Sequence, residues 1–279
     1  MIAVSGLRFR YTGSEQPALD GIDLSIGAGE LVGVVGANGA GKSTLCYALT
    51  GYIPHFYAGA LEGDVLVAGH EVRRTPVSEL AAEAGLVFHN PFNQISGARY
   101  TVLEEVAFGL ENLGLVPDAM RQQAQAALLA TGLEDLAGRS PFTLSGGEQQ
   151  RLAVAAVIAM QPRVLVLDEP TSQLDPAGTR AIFEVLRSLA RTRRTTIVIT
   201  EHKLGWLASF VDRLVVLHAG RLAADGEPRR VLSEAASQPW GVGATDYTRA
   251  AQEARRGGLL PTAGDLLPVT LEQALETLR

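Results

Sequence analysis

Gly36-Ala37-Asn38-Gly39-Ala40-Gly41-Lys42-Ser43 follows the apolar run Leu31-Val32-Gly33-Val34-Val35 and leads into Thr44-Leu45-Cys46-Tyr47-Ala48-Leu49. The octet is a full G-x-x-x-x-G-K-S pattern, and its flanks read as a strand and a helix, the setting a phosphate loop requires. Glycines let backbone N–H groups converge on phosphate oxygens without Cβ clashes, and the start of the helix over 43–49 adds positive potential. In this reading residues 36–41 cradle phosphates, Lys42 reaches the β- and γ-phosphates, Ser43 ligates Mg²⁺, and Thr44 completes the nucleotide-binding stretch.

The surrounding pattern predicts an α/β fold. Residues 84–88, 164–167, 196–200 and 214–217 are further short runs rich in Val, Ile and Leu, as expected of strands buried on both faces. Helical patterns lie between them, so the sheet is expected to be mostly parallel. Thr101-Val102-Leu103-Glu104 has the form of a capping box for a helix to about 110, and 118–130 reads as another, between Pro117 and Gly132. Residues from about 92 to 160 are expected to form a helical insertion, and 4–11 and 24–26 a pair of antiparallel strands. Past Gly226 the chain reads as polar and loop-like to Trp240. Gly257, Gly258 and Pro261 should break the next helix. Thr270 and Gln273 form a capping pair for a last helix carrying Leu271, Ala274, Leu275 and Leu278 on one face. The expected division is 1–226, a nucleotide-binding domain, and 227–279, a small C-terminal appendage.

Composition narrows the classes. A 47% hydrophobic share in 279 residues supports a packed core rather than disorder. The net charge of −6 disfavours nucleic acid as a partner, since phosphate backbones select basic surfaces. A single cysteine, Cys46, rules out an internal disulfide framework and fits a reducing compartment. The first residues lack the pattern of a signal peptide, and no run of about 18 apolar residues occurs, so a membrane role requires a partner. His55, His70 and His218 have no metal-like spacing and read as surface or loop residues.

A second motif, Val164-Leu165-Val166-Leu167-Asp168-Glu169, delivers two carboxylates at the C-terminal end of a buried strand, where ligands sit in open α/β sheets. Asp168 would hold Mg²⁺ directly or through water, and Glu169 would polarise the attacking water as general base. A third, Leu144-Ser145-Gly146-Gly147-Glu148-Gln149-Gln150-Arg151, opens a helix with Leu152, Ala155, Ala156 and Ala159 as its apolar face, and its start is a second anion site.

With Ser172-Gln173-Leu174-Asp175 and Glu201-His202 added, the chain resembles ABC-type ATPases over residues 1–226. The resemblance implies a parallel-sheet ATPase core, an antiparallel β subdomain and the helical insertion. It also implies ATP and Mg²⁺ as cofactors, and a head-to-tail dimer with a second such subunit. Ser145, Gly146, Gly147, Glu148 and Asp175 would then act in trans on ATP held by the opposing subunit. His202 would bond the γ-phosphate and link it to Glu169, and Tyr11 matches the aromatic that stacks on adenine, although it also suits a packed strand position. The wider pattern implies transmembrane partners, no nucleic acid, and a peripheral place on the cytoplasmic face of the cell membrane.

The stretch Val87-Phe88-His89-Asn90-Pro91-Phe92-Asn93-Gln94 and the run from Glu104 to Gly114 are similar to energy-coupling-factor importer ATPases of the cobalt and vitamin type, as is the tail after Gly258. A conventional binding-protein-dependent importer, with a β-rich tail or none, is the nearest alternative, and a soluble ABC ATPase is a more distant one. The chain departs from the family at His89, where glutamine is usual in the loop that touches Mg²⁺ and water. Either His89 contacts the metal in its place, or it points toward the transmembrane partner.

Overall fold

The computed structural model describes residues 1–236, 238–260 and 266–277. In chain order the strands are β1 (Ile2–Tyr11), β2 (Leu19–Ile26), β3 (Leu31–Val35), β4 (Gly59–Val67), β5 (His70–Glu71), β6 (Ala84–Val87), β7 (Val164–Asp168), β8 (Thr196–Thr200), β9 (Arg213–His218) and β10 (Arg221–Gly226). The helices are α1 (Lys42–Leu49), α2 (Tyr52–His55), α3 (Val77–Glu83), α4 (Val102–Asn112), α5 (Pro117–Thr131), α6 (Gly146–Ala159), α7 (Pro176–Arg193), α8 (Leu204–Phe210), α9 (Pro228–Ala235), α10 (Asp246–Arg256) and α11 (Leu271–Thr277).

Strands β9, β3, β8, β7 and β6 lie parallel in that order, and β10 adds antiparallel to β9. Every residue of β3, β6, β7 and β8 is buried, which is why these strands are unbroken apolar runs and not alternating ones. The register aligns their C-terminal ends, with both Val34 of β3 and Asp168 of β7 opposite Thr200 of β8. The phosphate loop, the paired carboxylates and the Glu201-His202 turn therefore emerge side by side from one sheet edge.

The second sheet, β2-β1-β4-β5, is antiparallel. In β1 the inward residues are Ile2, Val4, Leu7 and Phe9, a sequence that changes phase between Val4 and Leu7. The register shifts at the same place and Gly6 there has φ 57°. This bulge keeps both halves of the strand facing the core, where a regular strand would turn Leu7 to solvent.

All helices between β6 and β7 fit the expected insertion. Thr101 and Glu104 cap α4 reciprocally, and α5 ends at Gly132 in the left-handed conformation. Helix α6 corrects the sequence reading of a single apolar face. Ala153, Val154, Val157 and Ile158 are buried along with Leu152, Ala155 and Ala159, so the helix is enclosed on nearly all sides, as a helix apolar all round should be.

The segment after Gly226 also corrects its reading. Residues 228–235 form α9, whose start is capped by the Glu227 carboxylate accepting from the Arg229 and Arg230 N–H groups. Val231, Leu232 and Ala235 are buried beneath a polar outer face, and Val231 and Leu232 join the same core as Leu31 and Leu214. Helix α10 ends at Gly257, as expected. Thr270 accepts from the Gln273 N–H, while the Gln273 carboxamide takes the Val269 N–H, one residue from the expected partner. Leu271 and Leu275 are exposed; Pro261 and Leu278 lie outside the described residues. No described helix is long and apolar enough to cross a membrane.

Candidate active site

At the phosphate loop the backbone dictates the sequence. Gly36 and Gly41 have φ of 155° and 103°, and a Cβ on either would stand 2.2 Å from the Leu217 carbonyl oxygen or 2.5 Å from that of Ala18. Only glycine fits between these neighbouring backbones. The Lys42 ammonium is buried and donates to the Gly36 and Ala37 carbonyls at 2.9 and 3.1 Å. Lys42 is thus folded across its own loop, at the start of α1, where a cation and backbone N–H groups together suit an anion. Cys46 lies fully buried in α1, and burial pushes its thiol well above the usual range, as suits a packing residue.

The carboxylates emerge beside it. Asp168 is buried and its Oδ1 accepts from the Thr200 hydroxyl at 2.7 Å. The backbone of Glu169 is left-handed, with φ 50°. Such strain in a non-glycine residue persists where the surroundings over-determine it. Here the Glu169 N–H donates to both the carbonyl and the hydroxyl of Thr200, each at 3.1 Å. Two histidines flank its carboxylate: His202 Nε2 lies 2.9 Å from Oε1, and His89 Nδ1 lies 3.3 Å from Oε2. The His89 ring is thus directed at the carboxylate of Glu169, a neighbour the sequence did not name for it. The loop carrying it is pinned by Gln94, which accepts from the Phe88 N–H at 3.3 Å and donates to the Ala153 carbonyl of α6 at 2.9 Å.

The Ser43 hydroxyl and Asp168 carboxylate are hard oxygen donors, the type Mg²⁺ takes when phosphates supply the rest of its shell. No cluster of three or more His, Cys, Asp and Glu side chains among the described residues could hold a metal by itself. His55 and His218 are exposed, and His70 is half-buried in β5.

Tyr11 takes the packed strand position that its sequence allowed. Its ring packs edge-on against Phe9 at 4.8 Å and Tyr57 at 6.1 Å, and its hydroxyl lies 3.2 Å from Thr44 Oγ1 in α1. Burial pushes its phenol pKa up, against the effect of the Thr44 hydrogen bond. Tyr57 also stacks on Tyr47 at 4.9 Å, forming an aromatic wall that sequence reading did not anticipate.

The third motif forms a separate surface. Ser145 caps α6: its hydroxyl accepts from the Glu148 N–H, and the Glu148 carboxylate accepts from the Ser145 N–H at 2.7 Å and from its hydroxyl at 2.8 Å. These bonds hold the Glu148 carboxyl below the usual range. Gly146 lies against Gln173, whose Oε1 would stand 2.4 Å from an added Cβ, and Gly147 against the Gln173 carbonyl. Asp175 caps α7 by accepting from the Gly178 N–H at 2.7 Å. Ser145, Gly146, Gln173 and Asp175 are all exposed.

Two contributors escaped the sequence reading. Thr200 is a strand residue with no motif to mark it, yet it bonds both carboxylate positions. Gly241 of the appendage has φ 68° and lies so close to the phosphate loop that a Cβ would sit 2.8 Å from that of Ala37. A cavity of about 390 Å³ separates residues 241–247 from His202, Lys203 and Trp206.

The ABC transporter family profile matches residues 19–172. A protein of Pyrococcus horikoshii named "Putative ABC transporter ATP-binding protein" is 46% identical over 231 residues, 83% of this chain and 81% of that one. CbiO1 from Clostridium perfringens, described as part of the ABC transporter complex CbiONQ, matches with TM-score 0.73 and 33% identity over 84% of this chain and 91% of its own. The ATP-binding cassette MJ0796, solved as a dimer in a post-hydrolysis state with ADP and Pi, matches with TM-score 0.73 and 28% identity over 82% of this chain and 99% of that one.

Proposed function

The chain belongs to the ABC transporter family of ATP-binding, ATP-hydrolysing proteins, and from that premise we propose that it is an energy-coupling-factor type ATPase powering import through separate transmembrane subunits. Its place is the cytoplasmic face of the cell membrane, held there by those partners. Residues 1–226 form the nucleotide-binding domain and 227–279 the appendage. Support for the importer type comes from the likeness to CbiO1 and from the appendage, whose described elements α9, α10 and α11 are helical where a conventional importer would carry a β-rich tail or none.

The observation that carries the catalytic reading is the Glu169 carboxylate, strained in its backbone and held between His202 and His89. Mg-ATP supplies the phosphoanhydride and neutralises charge on its oxygens. Residues 36–44 would grip the phosphates, and Ser43 and Asp168 would hold the cation. Tyr11 would stack on the adenine. Glu169 takes the proton of the attacking water at one carboxylate oxygen, while His202 fixes the carboxylate and reaches toward the γ-phosphate. His89 steadies the other oxygen in the place of the family's glutamine. Ser145, Gly146, Gly147, Glu148 and Asp175 serve the site of an opposing, head-to-tail subunit, for which the exposure of Ser145, Gly146 and Asp175 suits them.

Affinity purification of the tagged chain from detergent-solubilised membranes tests this reading. Integral membrane proteins should copurify and change its ATP turnover on reconstitution. Recovery of the chain without membrane partners, at full turnover, would contradict it.

A further inference from the structure

Lys203 follows His202 and stands at the start of α8. Its ammonium donates to the Thr171 carbonyl at 2.7 Å, the Leu174 carbonyl at 3.3 Å and the Thr179 hydroxyl at 3.0 Å. An ammonium has three donors, and here all three are placed. They join both ends of the turn 171–174 to the first turn of α7. The turn is tied a second time, to residues 201–203, by Glu201. One of its carboxylate oxygens accepts from the Thr171 hydroxyl, and the other from the N–H groups of His202 and Lys203 at 2.8 and 3.3 Å. Thr171, Thr179 and Glu201 are buried, so this is a polar clasp within the fold and not a loose surface contact.

The clasp sits between two functional surfaces. Behind it, His202 bonds the Glu169 of its own chain. Ahead of it, the turn carries the exposed Gln173, against Gly146 of α6, and the exposed Asp175. Removing the Lys203 donors would leave the Leu174 carbonyl without that tether and free the turn relative to His202.

We propose that Lys203 is a positioning residue that couples the two ATP sites of the dimer, by fixing the 172–175 turn offered to the opposing subunit against the His202 that serves its own site. The inference rests on the head-to-tail reading above. In such a dimer each Lys203 governs hydrolysis at the partner's site through the turn it holds.

Mixed dimers of two differently tagged full-length chains test this. Glu169→Gln on one chain leaves a single live site, whose Lys42 and Glu169 come from the other chain. Lys203→Met is placed either on the Glu169→Gln chain, so that the live site meets the altered turn, or on the chain that supplies the live Lys42. The first arrangement should turn over roughly tenfold more slowly, since small misplacements of catalytic surfaces cost that much or more. The second should stay within about twofold of the parent, which RT ln 2 makes a minor change. The KM for ATP should be unchanged in both, and Lys203→Arg, which keeps the cation and its donors, should recover most of the loss. Equal slowing in both arrangements, or slowing in the second alone, overturns the proposal. If Lys203→Met abolishes the Mg-ATP thermal shift, Lys203→Gln carries the same comparison. Failure of head-to-tail pairing is separately visible: Ser145→Arg in place of Lys203→Met would then spare the first arrangement, which head-to-tail pairing requires it to inactivate.

Discussion

Two surfaces of this molecule are prepared to meet phosphate, and they are built in opposite ways. At the phosphate loop, Lys42 and Asp168 are buried, and Glu169 is held by a neighbouring strand and two histidines. At the start of α6, Ser145 and Gly146 are exposed, and the hydrogen bonds of Ser145 and Asp175 satisfy the termini of their own helices. The first surface assembles its charged groups from β3, β7 and β8 around a single point. The second is rigid and presented outward, as half of a binding site should be. On the proposed function, one chain contains a chemical apparatus together with the lid for another.

The sharpest way to break this contrast is at Glu169. Glu169→Gln should retain ATP binding and lower turnover by about 10²–10⁴, the weight of general acid–base catalysis. Steady-state hydrolysis beside a nucleotide-binding titration checks it, and near-normal turnover would move the base elsewhere. Lys42→Ala attacks the same surface through binding. Mg-ATP at about 100 times Kd should stabilise the wild type by roughly 2.7 kcal/mol. The variant should lose most of the corresponding thermal shift.

A smaller effect sharpens the role of His89. His89→Gln keeps a donor for Glu169 and restores the residue usual in the family. Turnover should rise, by less than about tenfold, or 1.4 kcal/mol of barrier, with ATP affinity unchanged. A fall in turnover would make the imidazole itself necessary. The smallest effect concerns the appendage. Gly241→Ala puts a Cβ against Ala37 and a side chain at positive φ, costing about 1–2 kcal/mol in backbone strain. ATP affinity should weaken with stability, and an unchanged affinity would show that the appendage contact leaves the phosphate loop undisturbed.

The two surfaces also differ in how they could be read from sequence. The phosphate loop, the Asp168-Glu169 strand and the Ser145 cap are local patterns whose spacing carries their geometry, so their elements were expected within a residue or two. Helix α9 was not, because Arg229, Arg230 and Glu234 dominate its composition while Val231, Leu232 and Ala235 carry its burial. Thr200, Lys203 and Gly241 act through partners distant in the chain, and a single sequence has no period or motif that reveals such pairings. His89 was visible as a departure, but only the fold determined which neighbour it meets.

The central claim is that the buried surface of one chain works against the exposed surface of another. Mixed dimers of Ser145→Arg with Lys42→Ala chains test it most directly, by counting active sites with single-turnover hydrolysis. The Ser145→Arg lesion should fall on the site formed with the Lys42→Ala phosphate loop, so both lesions converge on one site and the other remains active at about half the wild-type amplitude. Two inactive sites in that dimer would mean that Ser145 serves its own chain, and would contradict the account.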